Sequence, residues 1–235
     1  MRTRDEWENW YRQPNPWHYD GTLEDEIRTS ALLGRLRHAH FDHALDVGCG
    51  EGRLTNALTA VASDVTGFDI SATAIERAQA RYPQIRFEQG DLLDVVRRPD
   101  VLATPFDLVV ASEVLYYLPS DEERKEAIAG LSQLGTPSCL FYFSVIVTGA
   151  SAGRRYFTHD GFVSMLSEHF TVIDSFPSVA SFPRALTLLG KLLRSDEKRI
   201  QLMGRWNAAS RPEHCRHAGY FALKRQVAPI SATLN

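Results

Sequence analysis

"ALDVGCGEGRL", residues 44–54, ends a hydrophobic run in three alternating glycines, Gly48, Gly50 and Gly52, and a helix-forming segment follows. This is the pattern of a strand that turns tightly into a helix and lets bare backbone approach a ligand. A dinucleotide fingerprint would place a third glycine where Arg53 stands. Asp46, two residues before Gly48, would also face a phosphate unfavourably at short range. The loop suits a ligand that carries positive charge at this point and no phosphate.

Outward from the loop, strands and helices alternate. Residues 44–48 read as a buried strand, 54–61 as a helix, 64–69 as a second strand and 72–81 as a helix stopped before Pro83. Residues 85–88 and 106–112 give strands three and four. A helix over 121–134 is capped by Ser120, and 139–147 gives a long apolar fifth strand. A helix over 159–169, a sixth strand over 170–176 and a weakly signalled edge strand over 218–224 complete the series. Such alternation predicts an α/β fold: a Rossmann-like, mostly parallel seven-stranded sheet flanked by helices, read as one domain over 1–235. Three stretches stand outside it. Residues 1–37 combine Trp, Tyr and Pro with a helix over 22–37, where Thr22 can cap and Asp25 sits at the third position; they are a candidate lid. Residues 177–216 can hold one or two helices before the last strand, and 226–235 read as a frayed tail.

The chain has 235 residues, 44% hydrophobic, with net charge −3, enough for one sizeable core and without a broad basic footprint for nucleic acid. Cys49, Cys139 and Cys215 are scattered and odd in number, which argues against a disulfide framework and for a reducing, cytoplasmic setting. No signal-type or membrane-spanning apolar run is visible. The expected partner is a small-molecule acceptor rather than a membrane or nucleic acid, with the chain acting as a monomer or homodimer.

S-adenosylmethionine fits the charge argument. It has a sulfonium and an ammonium, and no phosphate. Asp46 can help hold the ammonium, Gly48, Cys49, Gly50 and Arg53 form the loop and its exit, and Asp69 ends strand two where an acid can bind ribose hydroxyls. Asp91 can accept from the adenine amino group, with Ile70 and Leu92 as apolar ring contacts, and Ser112 or Glu113 can meet the methionine portion. Tyr116 and Tyr117 can border the substrate, and His159 is a candidate general base, with a helix cap or surface histidine as the plainer reading. His214, Cys215 and His217 form H-C-x-H, which without a second ligand pair is poor support for zinc. No metal site is expected.

"LDVGCGEG", "GFDIS", "FEQGDLL" and "FDLVVASEVLYYL" resemble, in order, the successive motifs of class I S-adenosylmethionine-dependent methyltransferases, over roughly residues 40–176. The resemblance implies a seven-stranded sheet with its last strand antiparallel, and S-adenosylhomocysteine as product. "NPWHYDGTLEDEIRTSALL", "SEVLYYL" and "RRYFTHDGFVSMLSEHF" further resemble the nodulation protein S family, N-methyltransferases acting on chitooligosaccharide precursors. That resemblance implies Trp17, Tyr19 and Arg28 over the cofactor, with Arg28 paired to its carboxylate. N-methylation of an amine such as an amino sugar leads. O-methylation of a sugar or secondary metabolite, a nucleotide-dependent oxidoreductase and a non-catalytic cofactor-binding module are the alternatives.

Overall fold

A computed structural model describes residues 3–17, 22–97, 105–147, 156–179, 195–212 and 215–225. Its seven strands are β1 (Phe41–Val47), β2 (Ala62–Asp69), β3 (Arg86–Gln89), β4 (Phe106–Ser112), β5 (Gly135–Ile146), β6 (Phe170–Val179) and β7 (His217–Lys224). They form one sheet in the order β3-β2-β1-β4-β5-β7-β6. The pairs from β3 across to β5 are parallel, and β7 runs antiparallel to both β5 and β6. The weakly signalled last strand is therefore real, and it lies inside the sheet rather than at an edge. Its sequence, HAGYFALK, is apolar enough to be buried on both faces.

Alternation along the central strands builds two cores. Leu45, Val47, Val109, Ala111, Phe141 and Phe143 face one. Ala44, Leu108, Val110 and Tyr142 face the other. A sheet apolar on both sides needs cover on both, which the crossover helices supply. These are α3 (Arg53–Leu58), α4 (Ala72–Arg81), α5 (Leu92–Arg97), α6 (Asp121–Leu134) and α7 (His159–Leu166). Ser71, Ser120 and Thr158 cap α4, α6 and α7 through side-chain oxygens.

Several boundaries differ from the sequence reading. The first strand begins at Phe41, the fifth at Gly135, and the sixth runs on to Val179 through a register shift at Pro177. The 72–81 and 121–134 helices stand as expected. Helix α5 has no counterpart among the elements expected from the sequence; six residues are too few to show a helical period. A further helix, α1 (Arg4–Trp10), precedes α2 (Leu23–Leu36). Its capping box, Thr3 with Glu6, was the local signal for it. The expected cap of α2 is corrected: Thr22 makes no side-chain cap hydrogen bond, and Asp25 turns instead to Arg53 at 2.8 Å. Within the 177–216 segment, one helix, α8 (Asp196–Ala209), is described.

Candidate active site

The carboxyl ends of β1, β2 and β4 open into a cavity, the usual ligand position in such sheets. After β1 the chain turns through Gly48 (φ +73°), Gly50 (φ +53°) and Gly52 (φ +82°), all left-handed. A Cβ at Gly48 would come within 2.7 Å of Val114, so the close approach also requires glycine there.

The loop amides decide what it can bind. Gly48 N–H and Cys49 N–H donate to the carbonyl of Phe68 at 2.9 and 3.0 Å, and Gly52 N–H donates to the carbonyl of Cys49 at 3.0 Å. Gly50 N–H donates to Asp69 Oδ2 at 2.9 Å, while Ser71 N–H donates to Oδ1 at 3.0 Å. Four amides of the loop, those of Gly48, Cys49, Gly50 and Gly52, are thus already engaged within the chain and not offered to a pyrophosphate. The lining includes Asp46, Asp69 and Asp91 at the strand ends, with Ile70 and Leu92 as apolar walls, beside the further carboxylates of Asp25, Glu51 and Glu113 and the guanidinium groups of Arg28, Arg53 and Arg81. Carboxylates at the strand ends fit a cationic ligand with ribose hydroxyls and an amino-bearing base, and the engaged loop amides disfavour a dinucleotide.

Asp46 is 2% exposed and accepts from the Thr55 hydroxyl at 2.7 Å. Burial raises it to about 7; Thr55 opposes the shift and Asp69 adds to it. Burial likewise raises Asp69 to about 6 against the two backbone donors. Burial and these two carboxylates push the Cys49 thiol well above its usual range, which leaves it no nucleophilic role. Asp91 Oδ1 accepts from Leu93 N–H at 2.8 Å and so starts α5, while Asp91 still borders the cavity.

Raised acids have a defined linkage sign. Asp46 and Asp69 favour the fold most when protonated, so their contribution falls as pH rises from about 4 through 6–7. The Asp46 displacement alone corresponds to at most about 4 kcal/mol. Glu113 acts oppositely and in a lower window, being held down to about 2, so its contribution is lost only as pH falls below about 4.5. The ligand-free protein should therefore melt highest near pH 4–5 and lower at pH 7, with S-adenosylhomocysteine restoring more of the loss at pH 7 than at pH 5. Thermal melts with and without it across pH 4.5–8 check this; a flat ligand-free profile would refute the buried-acid assignment.

Two arms close the cavity. Helix α1 and the residues after it supply Trp7, Tyr11 and Trp17 to its wall. Trp17 Nε1 donates to the Tyr11 hydroxyl at 3.1 Å, and Trp7 meets Tyr117 edge-on at 5.0 Å. Glu8 fastens this arm by accepting from Ala72 N–H, Thr73 N–H and the Ser71 hydroxyl at the start of α4. Helix α2 supplies Arg28, which lies 3.6 Å from Asp25 and 3.9 Å from Glu113. Arg53 also lines the cavity, through its bridge to Asp25.

Ser112, the last residue of β4, and Glu113 after it reach the cavity wall, as does Tyr117. Glu113 adopts φ +60°, a costly conformation for a non-glycine residue. Its oxygens accept from the Ser144 hydroxyl at 2.6 Å, His217 Nδ1 at 2.7 Å and the Tyr116 hydroxyl at 3.1 Å. Burial would raise its carboxyl; Arg28 and His217 outweigh that and hold it near 2. Tyr116 is thus an internal partner of Glu113 and does not line the cavity. Nor does His159, which opens α7 with Nδ1 3.0 Å from the Tyr220 hydroxyl. Tyr19 and His214 lie outside the described residues. Cys215 donates to the carbonyls of Pro212 and His217. No cluster of three metal-ligating side chains occurs among the described residues. Sequence reasoning missed Trp7, Tyr11, Ser144 and the pairing of His217, because nothing local marks a contact between residues 31 or 104 positions apart.

Residues 44–138 match the family model described as a methyltransferase domain. The chain is 31% identical over 124 residues to nodulation protein S of Rhizobium tropici, covering 52% of this chain and 51% of the relative. It is 32% identical over 128 residues to the probable methyltransferase ltbC of Aspergillus luteorubrus, covering 49% and 43%. It thus spans about half the length of the curated relatives it matches. Its fold superposes on the crystal structure of N-methyltransferase NodS from Bradyrhizobium japonicum WM9 in complex with S-adenosylhomocysteine, with TM-score 0.69, 20% identity and coverage of 97% and 100%. The matched segment, 44–138, is thus similar to a methyltransferase domain, and the seven-stranded sheet is the fold of the solved N-methyltransferase. Among the relatives the chain resembles nodulation protein S. No helix among the described residues is long and apolar enough to cross a membrane.

Proposed function

We propose that this chain transfers a methyl group from S-adenosylmethionine to an amine on a small molecule such as an amino sugar or a chitooligosaccharide precursor. The observation that carries the cofactor is the glycine loop whose amides are spent internally beside Asp46, Asp69 and Asp91. The N-methyl preference rests on the resemblance to nodulation protein S. When bound, the cofactor supplies an electrophilic methyl on a sulfonium that leaves as a neutral thioether.

The residues of the chain have to bind, orient and exclude water. Asp69 accepts the ribose hydroxyls. Asp91 accepts from the adenine amino group between Ile70 and Leu92. Asp46 faces the ammonium, and Arg28 pairs with the carboxylate, exchanging its present contacts for a guanidinium fork. Trp17 and Tyr117 close the wet side, and residues 1–37 act as the lid. Ser112 completes the methionine pocket, while Glu113 organises it from behind because its oxygens already carry partners of the chain's own.

Calorimetry with S-adenosylhomocysteine and with NADH tests the cofactor. Micromolar binding of the first alone is expected; binding of NADH alone would overturn the reading. With the cofactor set, glucosamine oligomers are expected to accept methyl and N-acetylated oligomers not to; methylation of both alike would replace N- with O-transfer.

A further inference from the structure

The arm that covers the cavity is short. Helix α1 has seven residues, too few to hold itself together in water, so its place depends on what it docks against. Its underside is apolar: Trp7 and Tyr11 pack with Ala74 of α4, beside Ile70 and Tyr117. A Cβ at Gly50 would come within 3.0 Å of the Tyr11 hydroxyl, so the arm lies directly on the glycine loop. Trp7, Tyr11, Ile70 and Asp69 line one cavity, and a nucleoside held there sits beneath the arm.

Polar groups fasten the arm on the nucleoside side. Glu8 accepts from Ala72 N–H at 2.5 Å, from Thr73 N–H at 3.2 Å and from the Ser71 hydroxyl at 3.1 Å. Its carboxylate thus sits on the positive end of α4, where Ser71 already serves Ala74 N–H at 3.2 Å. Burial would raise the Glu8 carboxyl, but the donors at Ala72, Thr73 and Ser71 outweigh it and hold the group below its usual range. Further along the arm, Arg77 of α4 donates to the carbonyls of Gln13 and Arg12 at 3.0 and 3.3 Å. Arg77 also donates to Glu51 at 2.9 Å, and Glu51 accepts from Asn15 N–H at 3.2 Å. Toward β4 the arm meets Tyr117 through rings, Trp7 at 5.0 Å and Trp17 at 5.7 Å. Ring contacts are less directional than these hydrogen bonds and hold a position less firmly.

One buried serine joins the arm to the ribose acid. Ser71 gives its amide hydrogen to Asp69 Oδ1 at 3.0 Å and its hydroxyl hydrogen to Glu8. Besides its burial, the charge of Glu8 raises Asp69, so the two carboxylates repel across Ser71. Ribose hydroxyls that donate to Asp69 offset part of that repulsion, and the arm then holds more tightly over a filled site than over an empty one. We propose that Glu8 is the clasp of a cofactor latch: it fastens the arm to the ribose-binding turn, Arg77 and Glu51 make the second fastening, and S-adenosylhomocysteine leaves only when both let go. Glu8 is a positioning residue, acting on the ligand through Ser71 and the arm. The inference rests on the methyl-transfer reading, and its first test does not.

Glu8→Gln keeps the size of the side chain, removes its charge and sets an amide donor among donors. In hydrogen exchange on the ligand-free, full-length protein, the Tyr11 amide, bonded to the Trp7 carbonyl at 3.0 Å, should exchange at least ten-fold faster in this variant. The amides of β4 should keep their wild-type rates, which separates a loosened arm from a loosened fold. Equal exchange at Tyr11 would overturn the clasp. In stopped-flow displacement, S-adenosylhomocysteine should leave Glu8→Gln and Arg77→Gln at least ten-fold faster than it leaves the wild type. Release within two-fold of the wild-type rate in both variants would make the arm a fixed wall and sink the latch, with the methyltransferase reading intact. If the wild type bound no S-adenosylhomocysteine, that reading would fail, and the exchange of Tyr11 would still decide whether Glu8 holds the arm.

Discussion

Replacing Asp69 by asparagine is expected to weaken S-adenosylhomocysteine binding by about two orders of magnitude. Asp69 ends β2 at the cavity mouth, 7% exposed, and each oxygen holds one backbone amide, from Gly50 and from Ser71. Those bonds aim the carboxylate and leave further lone-pair sites for two ribose hydroxyls. Asparagine removes the charge and turns one oxygen into a donor facing another donor. Hydrogen bonds to charged groups contribute about 1.5–3 kcal/mol each, and about 3 kcal/mol is a hundred-fold in affinity. Calorimetry at pH 8, where the wild-type acid is ionised, is the measurement, with circular dichroism to verify the fold. Unchanged affinity in a folded variant would remove Asp69 from the cofactor site.

The second large effect is expected on stability. Glu113→Gln should cost about 3–5 kcal/mol at neutral pH, the usual penalty for breaking a buried charged pair from one side. The amide would leave Arg28 without its buried counter-charge and would set a donor against His217 Nδ1 or the Tyr116 hydroxyl. For a chain of this length, each kcal/mol shifts the melting temperature by about 2–4 °C, so a fall of roughly 10 °C is expected. The sign with pH follows from a carboxyl held near 2: the gap between variant and wild type is full above about pH 4.5 and narrows as pH falls below it. A variant that melts with the wild type at pH 7 would show that the carboxylate holds nothing together.

The two residues differ in how far the sequence reveals them. Asp69 is legible because its surroundings are local: an apolar strand, an acid at its end and a glycine loop a short chain distance before it. The same locality exposes Asp46, Gly48, Gly50 and Asp91, all of which border the cavity. Glu113 is legible as a residue after strand four, but not as the centre of a network. The arm over the cavity is only half legible: its aromatics announce burial, whereas Glu8 on the start of α4 joins positions 63 to 65 residues apart. His217 is the extreme case. In the sequence it belongs to an H-C-x-H run with a poor claim to a metal, and in the fold it is the partner of a buried carboxylate.

The sequence by itself determined the alternation of strands and helices, the left-handed glycine turn and the acids that follow each strand. These depend on periodicity, propensity and steric demands acting over a few residues. Only the tertiary structure decided which amides of the loop are spent and what Tyr116, Ser144 and His217 do, because the strand order β4-β5-β7 is set by packing a two-faced sheet and not by any neighbour along the chain. Hydrogen bonds in a buried network go to whichever partner the sheet brings within 3 Å, and the chain carries no local record of that choice.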